Sequence, residues 1–300
     1  MRNGDNSQHP SVGLAAMFSE TGAILDLIDR VLAEDLASGD VTSRTSVSAA
    51  AESSARLVAK APLRIAGLEV AIAVFHRVDP TIVVEPLLRD GEAADVGAIL
   101  ARLRGPARSL LAAERTALNL LQRMCGVATL TRAHVDAAAD RCKITDTRKT
   151  MPGLRALDRY AVRCGGGHNH RNDLGAGVLI KENHVRAAGG ITAAITGARR
   201  NAPHTLRIEC EVTDLAELQE AIAAGAEIIL LDNMDDAAIA EAVAITGGRA
   251  LLEVSGGVSL DRIGALAALG IDLISVGKLT HSAPAADVSL LFEPLGGWSS

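Results

Sequence analysis

The sequence predicts an α/β fold in which an incomplete, open β/α barrel follows an α+β domain. Between residues 143 and 278, a short β-type run that ends in a charged or glycine signature precedes a helical stretch, and this unit occurs six times. The residues before it do not share that repeat. Hydrophobic residues make up 48% of the chain but aromatic ones only 2%, so the core must be built from Ala, Leu, Val and Ile, which suits helices layered on strands.

The α+β domain is predicted to span residues 13–125, after a polar tail at residues 1–12 that we expect to be disordered. An apolar stripe within residues 23–37 predicts its first helix. Asp90-Gly91 predicts a hairpin-type turn. Short strands are predicted at residues 55–60, 64–68 and 81–88.

A long helix is predicted from near Leu110, and we place the domain boundary at its end, around Cys125 or Gly126. The barrel domain then covers residues 126–284. Apolar side chains within residues 285–300 are expected to pack back on the first domain.

Each barrel unit ends its predicted strand with chemically useful groups. Because the carboxyl ends of parallel strands converge on one mouth of a β/α barrel, we expect these groups to meet there. The sequence therefore predicts an enzyme. The six signatures are Thr147-Arg148-Lys149, Ile180-Lys181-Glu182-Asn183-His184, Glu209-Cys210-Glu211, Leu231-Asp232-Asn233, Glu253-Val254-Ser255-Gly256-Gly257 and Val276-Gly277-Lys278.

Positive charge is concentrated near the first two units, although the whole chain carries a formal net charge of -6. That acidic balance argues against non-specific binding of nucleic acid or of an anionic membrane. Arginine grips a planar carboxylate or phosphate with paired hydrogen bonds, so the cluster implies an anionic ligand. Any single member is as often a merely solvated charge. The cluster comprises Arg148, Lys149, His168, His170, Arg171 and Lys181.

Two carboxylates, Glu211 and Asp232, close consecutive predicted strands and are expected to hold Mg²⁺, which takes one or two carboxylates and completes its shell with water and phosphate oxygens. The alternative for each is an ion pair with a neighbouring lysine. Glu209 shares the face of Glu211 by strand period. Glu253 and Asp146 are weaker candidates for a supporting role behind the site.

Glycine-rich turns end the last two units, at Ser255-Gly256-Gly257 and Gly277-Lys278. Barrel enzymes often bind a phosphate between their final loops, where glycine lets the main chain approach the oxygens. A phosphorylated substrate is therefore expected. A third group of glycines, at 165–167, has a purely structural alternative, which is to cap the helix predicted at 154–163.

The four cysteines, Cys125, Cys142, Cys164 and Cys210, form no zinc-binding pattern and are interpreted as free thiols of a reducing cytoplasm. No apolar stretch has the length that a membrane-spanning helix needs. We therefore expect a cytoplasmic protein.

Several stretches resemble the quinolinate phosphoribosyltransferases, the carboxylating nicotinate-nucleotide diphosphorylases. The resemblance covers roughly residues 23–292, and the Asp-Thr-Arg-Lys-Thr and Gly-His-Asn-His-Arg motifs are highly specific. The matching stretches are those at 114–119, 146–155, 165–171, 181–184, 209–212, 230–234, 253–257 and 275–282.

The resemblance implies a barrel with fewer than eight strands, which agrees with six units and at most one irregular strand more. It implies transfer of a phosphoribosyl group from 5-phosphoribosyl 1-diphosphate to quinolinate, with decarboxylation, in NAD biosynthesis. His168 is expected to vary and is assigned no role. Substrate contacts are implied for Arg115, Thr147, Arg148, Lys149, His170, Arg171, Lys181, Glu211, Asp232, Ser255, Gly256, Gly257, Gly277, Lys278 and Leu279, and catalytic roles for Lys149, Lys181, Glu211 and Asp232.

The resemblance also implies a homodimer with shared active sites, which could assemble further into hexamers. Arg115 lies on the long helix before the barrel, and a partner subunit is expected to deliver it. Two rivals remain: a homologue that has drifted to nicotinate or to a role linked to molybdate transport, and an anion-binding scaffold or sensor. The complete cationic set and the paired carboxylates disfavour both.

Overall fold

The structure is a computed structural model that describes residues 14–15, 17–18 and 21–293. The chain forms two compact units: Met1–Leu130 with Met151–Gly165 and Ala283–Ser300, and Thr131–Thr150 with Gly166–Ser282. The tail predicted at residues 1–12 and the end of the chain beyond residue 293 lie outside the described residues. Among the described residues, no helix combines the length and the apolarity required to cross a bilayer.

The first unit is built on an antiparallel sheet of four strands. These strands are β1 (Glu52–Ala59), β3 (Val83–Pro86), β5 (Ile99–Pro106) and β12 (Val288–Phe292), and their order across the sheet is β12-β1-β5-β3. Strand β12 pairs with β1 from Ala55 opposite Phe292 to Ala59 opposite Val288. A small ribbon pairs β2 (Leu63–Arg64) with β4 (Ala93–Ala94).

Five helices of the described chain lie wholly or mainly in this unit. The helix Leu68–Val78 is buried along most of its length, and Asp90 accepts hydrogen bonds at its start from the main-chain N–H groups of Gly67 and Leu68, at 2.7 and 3.0 Å. Two orphan donors of the helix start are satisfied in this way. The helices are Thr21–Leu36, Val41–Ser46, Leu68–Val78, Ala107–Ala138 and Arg155–Cys164.

The strands of this unit depart from the sequence prediction in two ways: one predicted strand is shortened, and some observed strands, β4 and β12 among them, were not predicted. The strand expected at residues 64–68 is reduced to Leu63–Arg64, because Gly67 adopts a left-handed conformation (φ +88°) and Leu68 begins a helix. Strand β5, in contrast, was not predicted at all. Its sequence ILARLRGP breaks strict alternation, since both Leu100 and Ala101 are fully buried.

The long helix also differs from the prediction, because it runs unbroken from Ala107 to Ala138 and does not end near Gly126. An added Cβ at Gly126 would overlap the carbonyl oxygen of Pro284 and lie 3.0 Å from its carbonyl carbon. Gly126 therefore lets the main chain of Pro284 approach the helix closely. The domain boundaries predicted from the sequence stay a prediction.

The second unit is a parallel sheet of six strands, as an open barrel requires. The strands are β6 (Lys143–Thr145), β7 (Val178–Ile180), β8 (Ile208–Val212), β9 (Ile228–Asp232), β10 (Leu251–Ser255) and β11 (Leu273–Ser275), in the order β6-β11-β10-β9-β8-β7. An isolated parallel bridge joins Thr145 to His168 beyond β6. The six predicted strands are confirmed, and the bridge occupies the place of an irregular seventh.

Helices connect these strands. The helix Leu215–Ala224 begins at Asp214, whose carboxylate accepts main-chain N–H groups of Ala216 and Glu217, and ends at Gly225 in a left-handed conformation. This pairing of acceptor at the start and glycine at the end is the standard local code for a helix. The helices of this unit are Glu182–Ala188, Ile191–Asn201, Leu215–Ala224, Asp236–Thr246, Leu260–Ala268 and Lys278–His281.

Candidate active site

A cavity of about 650 Å³ opens where the parallel strands end. All of its lining residues belong to the second unit. The strand ends and the loops after them supply this lining, as is typical of the mouth of a β/α barrel. The lining consists of Thr147, Arg148, Lys149, His170, Arg171, Leu179, Lys181, Glu211, Leu230, Asp232, Asn233, Glu253, Ser255, Gly256, Gly257 and Ser275.

Strand register sets the depth of each group. Glu211 on β8 pairs with Leu230 on β9, and Asp232 pairs with Ser255 on β10. Asp232 therefore lies one two-residue step beyond Glu211 towards the carboxyl ends, about 7 Å along the strand direction. The two carboxylates line one cavity, but they lie at different levels.

Arg148, Arg171 and Lys181 form the cationic wall of the cavity. Some nitrogen atoms of the two arginines lack hydrogen-bond partners among the described residues. The Nε atoms of Arg148 and Arg171 are buried without a hydrogen-bond partner among the described residues. Arg171 also donates through Nη1 to the carbonyl oxygen of Gly177 at 2.9 Å. Burial, followed by the charge of Arg148, lowers the pKa of Arg171. Buried donors of like charge side by side are stabilised by an anion that bonds to both.

His170 is held by buried carboxylates. Its Nε2 lies 3.3 Å from Glu209 Oε2 and 3.6 Å from Glu253 Oε1. The main-chain N–H of Arg171 points at Nδ1 at 2.7 Å, so Nε2 is the nitrogen that carries a proton towards the glutamates. Burial alone would lower the pKa of His170, but the hydrogen bond to Glu209 and the charge of Glu253 outweigh it and raise this pKa.

Of the two weaker candidates, Glu253 lines the cavity, whereas Asp146 lies behind it. Burial and the charge of Glu209 raise the pKa of Glu253 to about 7, and its side chain lines the cavity floor. Asp146 is fully buried and accepts the main-chain N–H of His170 at 2.7 Å and the Nδ2 of Asn169 at 2.6 Å. Both carboxylates therefore hold His170 in place, Asp146 through its main chain and Glu253 through its ring.

The two proposed metal ligands have different partners. Glu211 forms an ion pair with Lys181, the alternative that the sequence left open. Asp232 accepts a hydrogen bond from Asn233 Nδ2 at 2.9 Å. Of these two carboxylates, Glu211 is thus paired with a charged side chain and Asp232 with a neutral one. A separate set, His170 with Glu209 and Glu253, brings its ligand-type atoms within 4.8 Å of one another.

The two glycine turns behave differently. Gly256 and Gly257 line the cavity with positive φ of +84° and +57°, where glycine is favoured. Gly277, Lys278 and Leu279 do not contribute to the described lining. Gly277 nevertheless faces Lys149, because an added Cβ would lie 3.0 Å from Lys149 Cδ.

The substrate contact predicted for Leu279 stays a prediction, and only its main chain remains available for such a contact. Its side chain is fully buried, and its main-chain N–H donates to the carbonyl oxygen of Val276 at 3.3 Å. Apolar burial in the core excludes a side-chain contact with a polar ligand. The neighbouring Thr280 instead supports the site, since its hydroxyl donates to the carbonyl oxygen of Lys149 at 2.9 Å.

Four other lining residues were missed, namely Leu179, Leu230, Asn233 and Ser275. Strand alternation offered a signal for two of them, because Leu179 and Leu230 stand two residues before Lys181 and Asp232 on the same faces. Arg115 lies exposed on the long helix in the first unit.

Comparison with known proteins supports one family. Family models described as the C-terminal and N-terminal domains of quinolinate phosphoribosyl transferase match residues 127–291 and 40–125. The nicotinate-nucleotide pyrophosphorylase [carboxylating] of Mycobacterium leprae is 44% identical over 278 residues, covering 90% of this chain and 98% of that protein. The probable enzyme of the same name from Bacillus subtilis is 40% identical, covering 88% and 91%.

The fold agrees with this relationship. A solved nicotinate-nucleotide pyrophosphorylase from Francisella tularensis superposes with a TM-score of 0.86 at 39% identity, over 91% of this chain and 96% of that one. Both domain models and the relatives cover the two units together. The chain therefore belongs to the quinolinate phosphoribosyltransferase family.

Proposed function

We propose that this chain is a pentosyltransferase of NAD biosynthesis, which transfers the phosphoribosyl group of 5-phosphoribosyl 1-diphosphate to quinolinate. Loss of one carboxylate then gives nicotinate mononucleotide, diphosphate and CO₂. One observation carries this proposal within the family: Arg148, Arg171 and Lys181 line one cavity, and the buried Nε donors of the two arginines have no hydrogen-bond partner among the described residues. Two adjacent ring carboxylates need several fixed cations of this kind.

Quinolinate is bound by the cationic wall. Arg148 and Arg171 orient the ring carboxylates, and Lys181 exchanges its ion pair with Glu211 for an ion pair with the substrate. His170 contributes its ring edge, fixed by Glu209 and Glu253. This set holds the ring nitrogen in position for attack, so that positioning supplies a large part of the rate enhancement.

The sugar diphosphate occupies the opposite side of the cavity. Main-chain N–H groups of the Ser255-Gly256-Gly257 turn, together with Gly277 and Lys278, bind the 5-phosphate. Lys149, adjacent to Thr147, stabilises the departing diphosphate as a compact charge. Glu211 and Asp232 stabilise the positive charge that develops on the ribosyl carbon as the leaving group departs.

Magnesium is the cofactor that we propose, held by Asp232 and, once Lys181 turns to the substrate, by Glu211. The fit rests on their chemistry, since carboxylate oxygens beside a phosphate are the ligands that Mg²⁺ prefers. When bound, the metal neutralises diphosphate charge. Both carboxylates that would hold the metal line the same cavity.

Decarboxylation needs no nucleophilic side chain. Alkylation makes the ring nitrogen cationic, and this charge stabilises the electron pair left on the adjacent carbon when CO₂ departs. The protein orients the leaving carboxylate and compensates charge, and the lining of the described cavity contains no cysteine.

We also propose a homodimer with shared sites, in which Arg115 of one protomer completes the cavity of the other. Its support is that Arg115 is exposed in the first unit while the described cavity is lined by the second unit alone. Chains carrying Arg115→Ala, mixed with chains carrying Lys181→Ala under conditions that exchange subunits, should regain activity. A hybrid dimer would then carry both defects in one site and none in the other. Verified hybrids without activity would refute the shared site.

The direct test is an assay of purified protein with quinolinate, 5-phosphoribosyl 1-diphosphate and Mg²⁺, following CO₂ and nicotinate mononucleotide. Nicotinate in place of quinolinate is the control for the drifted-substrate rival. Turnover of nicotinate alone would replace the proposed reaction, and binding without turnover would favour the scaffold. A cytoplasmic location is retained as a proposal, supported by four cysteines that are all free thiols.

A further inference from the structure

We infer that Asn233 is a positioning residue whose carboxamide holds the Asp232 carboxylate and the Ser255-Gly256-Gly257 turn in the arrangement that binds the sugar diphosphate. The inference deepens the proposed function and rests on it. Asn233 closes one of the six signatures of the sequence but received no role there, and it directly follows the last residue of β9.

The main chain of Asn233 is held in an uncommon conformation. Its φ is +56°, in the left-handed region that non-glycine residues rarely adopt. Its N–H donates to the carbonyl oxygen of Ser255 at 3.1 Å, so the end of β9 is joined to the end of β10 beyond their regular pairing. The conformation thus directs the side chain towards the turn that follows β10.

The side chain contacts both groups that it is proposed to position. Nδ2 donates to Asp232 Oδ2 at 2.9 Å. On the other side, a Cβ added to Gly256 would overlap Asn233 Oδ1 and lie 2.9 Å from Asp232 Oδ1. The main chain of Gly256 therefore packs directly against the pair, and all three residues line the cavity.

A neutral hydrogen-bond donor such as the Asn233 amide suits the position beside the Asp232 carboxylate. Asp232 is needed with its negative charge intact, beside either the developing ribosyl cation or a metal ion. A lysine or arginine partner would orient the carboxylate but also offset its charge, as Lys181 does for Glu211. An amide fixes one oxygen while leaving the charge uncompensated.

The plain alternative is that asparagine is present only because it tolerates a left-handed main chain. Glycine separates the two explanations, since Asn233→Gly relieves the conformation but removes the amide. Asn233→Asp keeps the shape and the conformational tolerance but replaces the donor with a second carboxylate. Asp140→Gly is the matched control, because Asp140 has nearly the same φ, +58°, and does not line this cavity.

The experiment measures binding of 5-phosphoribosyl 1-diphosphate with Mg²⁺, and separately of quinolinate, by calorimetry, together with the melting temperature and the steady-state KM and kcat. We expect Asn233→Gly to melt no lower than the wild type, as for Asp140→Gly. We expect the Kd for the sugar diphosphate to rise at least fivefold in Asn233→Gly and further in Asn233→Asp, with quinolinate affinity within twofold.

A change of less than fivefold in sugar diphosphate affinity for Asn233→Gly would overturn the inference, and so would an equal loss of quinolinate affinity. The proposed function fails separately: a wild-type protein that binds the sugar diphosphate but does not turn over quinolinate would refute the reaction. The binding measurements would then still judge the role of Asn233.

Discussion

Replacing Arg171 with alanine tests the carboxylate clamp directly. Removing one partner of a desolvated charge pair typically costs about 2–5 kcal/mol of binding free energy. We expect the lower part of that range, because Arg171 is only half-buried, Arg148 and Lys181 remain, and the repulsion between Arg148 and Arg171 is relieved. A loss of about 2–3 kcal/mol corresponds to a quinolinate Kd raised roughly 30- to 150-fold.

Calorimetric titration with quinolinate, without the second substrate, measures this loss. The matched control is Arg186→Ala, which removes the same charge from an exposed position in the same unit, where Arg186 forms an ion pair with Glu182. The control should keep quinolinate affinity within twofold, and Arg171→Ala should keep its affinity for 5-phosphoribosyl 1-diphosphate within about threefold. An Arg171→Ala protein that binds quinolinate as tightly as the control would refute the clamp.

Three further predictions address the metal, the buried acid and the long helix. Asp232→Asn should keep quinolinate binding but raise the Mg²⁺ concentration for half-maximal rate; an unchanged requirement would place the metal elsewhere. Because the pKa of Glu253 is raised to about 7, its contribution to stability is present at pH 4 and is lost as pH rises towards 7. In urea titrations, the free energy of unfolding should fall between pH 4 and 7 by about 1–3 kcal/mol less in Glu253→Gln than in the wild type. Identical pH dependences of the two proteins would contradict the raised pKa. Gly126→Ala should lower the free energy of unfolding by about 1–3 kcal/mol through overlap with Pro284, whereas Gly197→Ala, in open space on another helix, should raise it by about 0.5–1 kcal/mol; equal effects of the two would refute the close approach.

Patterns that repeat within a few residues were predictable from the sequence. The six barrel strands follow from short apolar runs with helices between them, and their carboxyl ends follow from the signatures. Arg148, Lys181 and Asp232 line the cavity, and each lies at or shortly after the carboxyl end of its strand. The family resemblance added the reaction, which the residues alone gave only as anionic, phosphorylated chemistry.

Features that depend on distant partners were not predictable in this way. Gly126 looked like the end of a helix, because nothing in the local sequence reveals the carbonyl group of Pro284 against it. Leu279 lies in a motif for which substrate contacts were predicted, yet its side chain is buried in the core. A motif identifies a segment, whereas the direction of each side chain depends on helix and strand packing.

The buried acids illustrate the same limit and explain how the site can exist. His170, Glu209 and Glu253 come from three separate segments, and their distances of 3.3 and 3.6 Å depend on the whole sheet. A rim of cations without a bound anion would repel itself and destabilise the fold. The charge of the buried Glu209 acts on Arg171 and offsets part of that repulsion in the free protein. Within the part of the chain that the structure describes, the Nε donors of Arg148 and Arg171 have no hydrogen-bond partner. The site can therefore stay folded when empty and still favour a dianion, because nearby carboxylates compensate part of the positive charge while Arg148, Arg171 and Lys181 line the cavity.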